Sequence, residues 1–236
     1  MKTKHAAWLG GAAFALATLA ASHGTGVADE ALDQALRNDS NWAMYGRTYD
    51  NERFSPLKQI NDQNVGQLKL VYAFQLGALR SNEATPLVIG DTMYIPSSSG
   101  PKSVYALDAR TGTIKWQYQP DLPEDFEPFV CCDLDSRGVS YADGKILFGT
   151  LDGHLVALDA ASGRELWKAQ VVDYKQGSVV TSPPLIVKNL AIVGFAGGEY
   201  GARRHPGVRH QHRQADMEDL HHPRSGRARQ RDLERR

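Results

Sequence analysis

The sequence predicts an all-β fold built from the blades of a β-propeller, and two observations support this prediction. Residues 104–116 recur as residues 155–167, with the same spacing from an Ala through an Asp and a Gly to a Trp. The offset of about fifty residues fits the length of one four-stranded blade. Around both copies, short apolar runs alternate with turn dipeptides, and no long helical periodicity is present.

Each predicted element has a local reason in the sequence. A short helix is predicted over residues 31–38. In each copy of the repeat, the Asp and the following Thr-Gly or Ser-Gly form a turn, and the final Trp is expected to cover the next blade. Further hairpins are predicted where two apolar runs flank Gly90-Asp91, Asp143-Gly144 or Lys188-Asn189. Their strands are residues 87–89 with 93–95, 139–141 with 146–148, and 185–187 with 191–193.

The N-terminal residues 1–28 have the pattern of a signal peptide. Lys2 and Lys4 precede an Ala/Gly-rich apolar run, and small residues up to Ala28 precede acidic Asp29. A membrane span needs about 20 strongly apolar residues, so we favour export and cleavage after Ala28 over anchoring, and no later span is predicted. Export to a bacterial periplasm would permit disulfide formation.

The composition changes sharply near residue 203. The 236 residues carry 27 basic and 27 acidic side chains, and this neutrality argues against an evenly basic nucleic-acid-binding protein. Every aromatic residue lies at or before Tyr200, whereas residues 201–236 contain no Lys and many Arg and His. Metal binding by the histidines and nucleic-acid binding by the arginines are alternatives for this tail, but disorder is the better expectation for an exported propeller.

Cys131 and Cys132 are adjacent and are the only cysteines. Neighbouring Cα atoms lie about 3.8 Å apart, closer than the roughly 4.4–6.8 Å of an ordinary disulfide, so a bridge between them would form a strained, rigid ring. Two free, buried thiols are the other possibility. Arg137 follows closely, and its planar guanidinium can hold a carboxylate or quinone oxygen of a flat ligand.

A set of short motifs near the start of the mature chain completes the pattern. They are Asn41-Trp42, Gly46-Arg47, Phe54-Ser55, Ile60-Asn61 and Asn64-Val65 followed by Leu68. With the blade repeat and the Cys-Cys-Asp…Arg-Gly stretch, residues 41–203 resemble the N-terminal part of the pyrroloquinoline quinone (PQQ)-dependent alcohol dehydrogenases of the methanol and ethanol dehydrogenase type. The resemblance implies an unclosed part of an eight-bladed propeller with the quinone on its axis.

The resemblance also implies a set of site residues. Cys131 and Cys132 match a disulfide that lies against the quinone, and Glu199 matches a ligand of a Ca²⁺ or lanthanide ion. The implied cofactor-binding residues are Glu83, Cys131, Cys132, Arg137, Thr181, Gly197 and Gly198. Taken alone, Glu83 could equally be a solvated turn carboxylate, and Thr181 could be a strand-end residue that bonds to the backbone. The aspartate base of the family has no counterpart in the chain before residue 204.

These observations predict part of a periplasmic enzyme that oxidises small alcohols to aldehydes by hydride transfer to PQQ. A periplasmic cytochrome c is the expected electron acceptor, and the chain as given is expected to be inactive alone. The alternative is a non-enzymatic propeller scaffold, which would not need the Cys-Cys pair.

The tail has a further interpretation. Codons permitted for residues 204–235, when read one base later, allow Asn-Thr-Gly-Lys followed by Thr-Trp, as in the blade repeat. We therefore predict a signal peptide over residues 1–28, propeller blades over residues 29–203, and an out-of-frame, disordered tail over residues 204–236.

Overall fold

The computed structural model describes residues 27–80, 82–97, 103–130, 134–197 and 213–216. In chain order the strands are β1 (Leu87–Ile89), β2 (Thr92–Pro96), β3 (Val104–Asp108), β4 (Ile114–Tyr118), β5 (Ser140–Ala142), β6 (Lys145–Gly149), β7 (His154–Asp159), β8 (Glu165–Gln170), β9 (Leu185–Val187), β10 (Leu190–Val193) and β11 (Arg213–Asp216). Within the described residues they form three antiparallel sheets, β1–β4, β5–β8 and β9–β11, and each strand pairs with its neighbour in the chain. The sheets are consecutive blades of a partial propeller, so the predicted fold class is confirmed.

The predicted turns join the predicted strands. Asp143 and Gly144 have φ values of 47° and 67°, the left-handed conformations that a tight two-residue hairpin requires. Gly90 and Lys188 adopt positive φ in the other two hairpins. Strand β5 begins at Ser140, one residue later than the sequence suggests.

One α-helix lies within the described residues, α1 (Val27–Arg37), and it begins four residues before the predicted helix. Its buried Leu32 and Ala35 pack against the core beside β5. Asn41 fixes the helix to the first blade, because its side-chain amide donates to Ala35 O and its side-chain carbonyl accepts from Gly90 N. The other helices described are short 3-10 turns, Val65–Gln67, Glu127–Phe129 and Tyr174–Gln176.

Residues 1–26 lie outside the described residues, so the signal peptide stays a prediction. Among the helices that the structure describes, none is long and apolar enough to cross a bilayer.

The two largest apolar layers of the described core lie one on each face of the middle blade. Strand β7 contributes to both, because side chains alternate across a strand. Val156 and Leu158 face the first blade, whereas Leu155 and Ala157 face the third blade and α1. All four are completely buried. The middle blade therefore fixes the positions of both neighbouring blades.

An aromatic side chain from one blade lies over a glycine of the next, and we call this arrangement the docking contact. Trp116 on β4 donates its indole N–H to Ala160 O at 3.0 Å, and a Cβ on Gly163 would come within 2.6 Å of its ring. Gly163 has a φ of 72°, which L-residues rarely adopt. The Trp therefore covers the next blade, as the repeat predicts.

Tyr72 makes a second docking contact, which the sequence did not reveal. Its hydroxyl donates to Ala109 O at 3.0 Å, and a Cβ on Gly112 would come within 2.4 Å of its ring. Ala109 and Gly112 hold the same repeat positions in the first blade as the acceptor and the glycine beneath Trp116 hold in the second. Residues 71–79 alternate between exposed and half-buried positions, as in an outer strand.

The tail contributes one described element, β11, which pairs with the edge of β10 from Leu190 opposite Asp216 to Val193 opposite Arg213. We expect disorder in the tail, and these four residues depart from that expectation because β10 offers unpaired backbone groups at its edge. The rest of residues 204–236 lies outside the described residues, so the boundary at residue 203 and the reading-frame interpretation stay predictions.

A buried carboxylate in the middle blade leads to a pH prediction. Asp152 lies 3.0 Å from Lys168 Nζ and 3.0 Å from His154 Nδ1, and it accepts from the Thr150 hydroxyl. Burial alone would raise the pKa of Asp152, but the bonds from His154, Thr150 and Lys168 outweigh it and lower the pKa to about 2. Because the folded-state pKa lies below the ordinary value, this stabilisation is present above about pH 4 and is lost as the pH falls toward 2.

We expect Asp152→Asn to lower the free energy of unfolding at pH 7 by about 2 kcal/mol and to make the loss of stability between pH 4 and pH 2 shallower. Urea unfolding across this pH range measures both effects. The control Asp62→Asn changes an exposed carboxylate and should leave the acid limb in place. An unchanged acid limb in Asp152→Asn would contradict the assignment.

Candidate functional site

Three predicted site residues come from equivalent places in three successive blades. Glu83, Arg137 and Thr181 each lie in the segment that enters the first strand of its blade, namely β1, β5 and β9. Arg137 Nε lies 3.2 Å from Glu83 Oε2, and Arg137 Nη1 donates to Thr181 Oγ1 at 3.1 Å. The structure therefore brings together, where three blades meet, residues separated by nearly one hundred positions.

The backbone holds these segments in register. Arg137 N donates to Thr181 O at 2.9 Å, which fixes the entry of the second blade against that of the third. Thr181 is buried, whereas the side chains of Arg137 and Glu83 are about half exposed. The guanidinium is thus anchored on the protein side and remains accessible to a ligand. Its planar donors suit a carboxylate or a quinone oxygen.

Asp135 is a member of this cluster that our sequence reasoning missed. Its carboxylate is 6% exposed and lies 3.3 Å from Arg137 Nε, yet neither oxygen accepts a hydrogen bond from the described residues. Burial, followed by the nearby Glu83 carboxylate, raises the pKa of Asp135, and the Arg137 charge opposes this rise. The spacing was the available signal, because residues two apart in an extended segment face the same side.

Gly197 lies on a segment next to the one that carries Thr181. The two segments pair through Val179 and Ala196, whose backbone N–H groups donate to each other's carbonyl at 3.1 and 2.8 Å. Gly197 has a φ of 98°, and a Cβ there would lie 1.8 Å from Gly177 O. The glycine is therefore required by the close approach of two backbones, a reason that is independent of any ligand.

Both flanks of the cysteine pair pack into one apolar cluster. Phe129 and Val130 on one side and Leu134 on the other contact the cluster built on Leu151, Tyr174 and Val179. The rings of Phe129 and Tyr174 meet edge to face with centroids 5.6 Å apart. These anchors hold the chain on both sides of the pair, within a few residues of Arg137.

Four predicted site residues, Cys131, Cys132, Gly198 and Glu199, lie outside the described residues. Their predicted roles are therefore not tested by the geometry. In the part of the chain that the structure describes, no group of three or more His, Cys, Asp or Glu side chains is arranged to hold a metal ion.

The sheets and the Arg137 cluster define a class, the β-propellers in which the segments entering successive first strands converge. Comparison with known proteins makes this specific. A PQQ family model described as "Glucose/ethanol/alcohol dehydrogenase, beta-propeller domain" matches residues 42–209. The chain belongs to this family of PQQ-dependent dehydrogenases, and the resemblance seen in the sequence is confirmed.

Relatives and solved structures agree with this assignment. The chain is 44% identical over 183 residues to a lanthanide-dependent methanol dehydrogenase of Methylacidiphilum fumariolicum, covering 77% of the chain and 30% of the relative. It is 41% identical over 199 residues to methanol dehydrogenase [cytochrome c] subunit 1 of Methylorubrum extorquens, covering 81% and 32%. A solved europium-containing methanol dehydrogenase superimposes with a TM-score of 0.73 at 42% identity, covering 80% of this chain and 32% of the other.

The chain thus spans less than one third of the length of these relatives.

Proposed function

We propose that this chain is the N-terminal part of a periplasmic PQQ-dependent alcohol dehydrogenase that oxidises small alcohols to aldehydes. The observation that carries the proposal is the convergence of Glu83, Arg137 and Thr181 from three blades. The donor set fits the cofactor: Arg137 and the Thr181 hydroxyl can donate to anionic carboxylate or quinone oxygens. Membership of the PQQ family supports the same ligand.

Each described residue would have a distinct task. Arg137 binds an anionic oxygen of the cofactor, and Thr181 orients the guanidinium from the buried side. Glu83 and Asp135 flank Arg137 Nε, so they limit its rotation and aim its remaining donors. When bound, PQQ supplies the two-electron oxidant that accepts hydride from the alcohol carbon.

The remaining predicted site residues complete the proposal. Cys131 and Cys132 would form a disulfide against the cofactor face, and Gly197 and Gly198 would lie beside the ligand. Glu199 would be one carboxylate ligand of a hard cation, Ca²⁺ or a lanthanide. No residue before position 204 is assigned as the catalytic base.

The partners and compartment follow from the sequence and from the relatives. Residues 1–28 support export to the periplasm. The Methylorubrum extorquens relative is named with cytochrome c, which supports a periplasmic cytochrome c as the electron acceptor of the whole enzyme. We expect the 236-residue chain alone to be inactive. A non-enzymatic scaffold is the alternative that the following experiment tests.

We expect a full-length chain with the reading frame restored after residue 203 to bind PQQ and to reduce a redox dye when an alcohol is added. Replacing both Cys131 and Cys132 by Ala should lower PQQ affinity at least about tenfold, because a rigid surface against the quinone is lost. Quinone titration by fluorescence measures the affinity. A folded, full-length chain that binds no quinone would establish the scaffold alternative instead.

A further inference from the structure

Asp135 is a buried carboxylate without a hydrogen-bond donor among the described residues. Both of its carboxylate oxygens are buried, and neither accepts a hydrogen bond from that part of the chain. Buried carboxylates are normally held by donors, because the ionised form loses its hydration when it leaves water. The ionised form of Asp135 therefore gains no hydrogen bonds from the described residues to compensate for its burial.

Arg137 does not supply the missing donor. Its Nε atom carries one hydrogen and donates it to Glu83 Oε2 at 3.2 Å. Asp135 Oδ2 lies 3.3 Å from the same nitrogen without accepting from it, and Arg137 Nη1 donates to Thr181. Arg137 thus offers Asp135 a positive charge but not a hydrogen bond.

Asp135 also lines a small pocket, and the other side chains that line it within the described residues are uncharged. The pocket has a volume of about 20 Å³, which is room for about one water molecule. A single water molecule cannot replace the hydration of an ion. The polar side chains beside Asp135 in this pocket are the hydroxyls of Ser97, Ser103, Ser136 and Thr150.

Among the described residues, the charged groups that act on Asp135 are Glu83 and Arg137. If both carboxylates are ionised, the three side chains have one excess negative charge, and a single proton makes the cluster neutral. Burial and the Glu83 charge raise the pKa of Asp135, although the Arg137 charge opposes them. A protonated Asp135 also becomes a donor, and a hydrogen bond to Glu83 stabilises that form.

We propose that Asp135 holds a proton in the ligand-free protein and donates it in a hydrogen bond to Glu83, so that Arg137 can accept an anionic ligand. Loss of this proton to solvent places an uncompensated negative charge beside the guanidinium and weakens anion binding by repulsion. Asp135 is thus a positioning residue that acts on the ligand through Glu83 and Arg137. The proton itself belongs to the ligand-free chain, and only its effect on quinone binding rests on the proposed function.

Carbon-13 NMR of the side-chain carboxyl carbons in the 236-residue chain tests for the proton. The Asp135 resonance, assigned by its absence in Asp135→Asn, should titrate at a higher pH than an ordinary aspartate. Glu83→Gln should lower this midpoint, because the neighbouring negative charge is removed. The matched control Asp91→Asn removes an exposed carboxylate beside Arg110 and should leave the midpoint unchanged. An Asp135 midpoint at or below the ordinary value, or one that Glu83→Gln does not lower, would overturn the proposal.

A second experiment measures the effect on binding in the full-length chain with the reading frame restored. Calorimetric titration with PQQ, in two buffers that differ in ionisation enthalpy, counts the protons taken up from solvent. Above the Asp135 midpoint, the affinity should fall by up to about tenfold per pH unit, with uptake of up to about one proton.

Asp135→Asn separates the effect of this proton from other titrations. The amide cannot ionise and keeps a donor toward Glu83, so this fall in affinity and this proton uptake should be lost. An equal pH dependence in Asp135→Asn and the unchanged enzyme would overturn the role of Asp135 in binding. Absence of PQQ binding at every pH would instead overturn the proposed function, and the NMR midpoint would still decide whether Asp135 holds a proton.

Discussion

Replacing Arg137 by Lys in the full-length enzyme is expected to lower PQQ affinity by two to three orders of magnitude. Lysine keeps the charge but loses the planar set of donors that contacts Glu83 and Thr181 together. Each hydrogen bond from the guanidinium to an anionic cofactor oxygen would contribute about 1.5–3 kcal/mol, and lysine cannot make two such bonds in the parallel geometry of arginine. The ligand would then contact a mobile lysine ammonium group in place of the fixed, planar guanidinium of Arg137.

The matched control is Arg110→Lys. Arg110 also contacts a carboxylate, that of Asp91, but both side chains are exposed and lie away from the Arg137 cluster. This variant should bind PQQ as the unchanged enzyme does, since exposed ion pairs contribute little. Fluorescence titration measures both variants, and melting curves confirm that they are folded. Equal affinities in the two variants would remove Arg137 from the cofactor site.

Trp116→Ala should be the most destabilising single substitution that we propose. The change removes a buried ring that covers Gly163 and a hydrogen bond to Ala160 O, so it opens a cavity between the first two blades. Large-to-small substitutions of buried aromatic residues cost about 3–5 kcal/mol. Chemical unfolding should show a loss of this size in the free energy of unfolding.

Two further variants separate the contribution of the hydrogen bond from that of the buried ring and provide a control on the same strand. Trp116→Phe keeps most of the ring and loses the donor, and should cost about 1–3 kcal/mol. Ile114→Ala changes an exposed side chain on the same strand and should stay within about 0.5 kcal/mol of the unchanged protein. If Trp116→Ala were as mild as Ile114→Ala, the docking contact would not stabilise the blade interface.

The hairpins could be predicted from the sequence because their turns and strands depend on residues that are adjacent in the chain. Asp143-Gly144 is a turn because both residues tolerate positive φ, and its flanking apolar runs are the strands β5 and β6. The coverage of Gly163 by Trp116 followed from the repeat. Tyr72 was missed because its segment has no second copy in the sequence, and only the folded chain shows that it lies over the first blade.

The candidate site was predictable mainly through the family resemblance. Glu83, Arg137 and Thr181 share no local motif, and their convergence depends on how three blades pack. Asp135 escaped notice because a carboxylate beside Arg137 is an ordinary surface pattern until its burial is known. The pairing of β11 with β10 was not foreseen, because it depends on an unpaired edge elsewhere in the fold.

The distribution of the site over three blades has a mechanical consequence. No single sheet determines the distances between Glu83, Arg137 and Thr181. The packing at the two interfaces between sheets therefore determines how precisely these distances are maintained. Catalytic and binding geometry loses function with displacements of about 1 Å. A smaller residue at Leu158 or Leu155 would let one blade shift relative to its neighbour. The distances between the three site residues would then change, although each residue kept its position within its own blade.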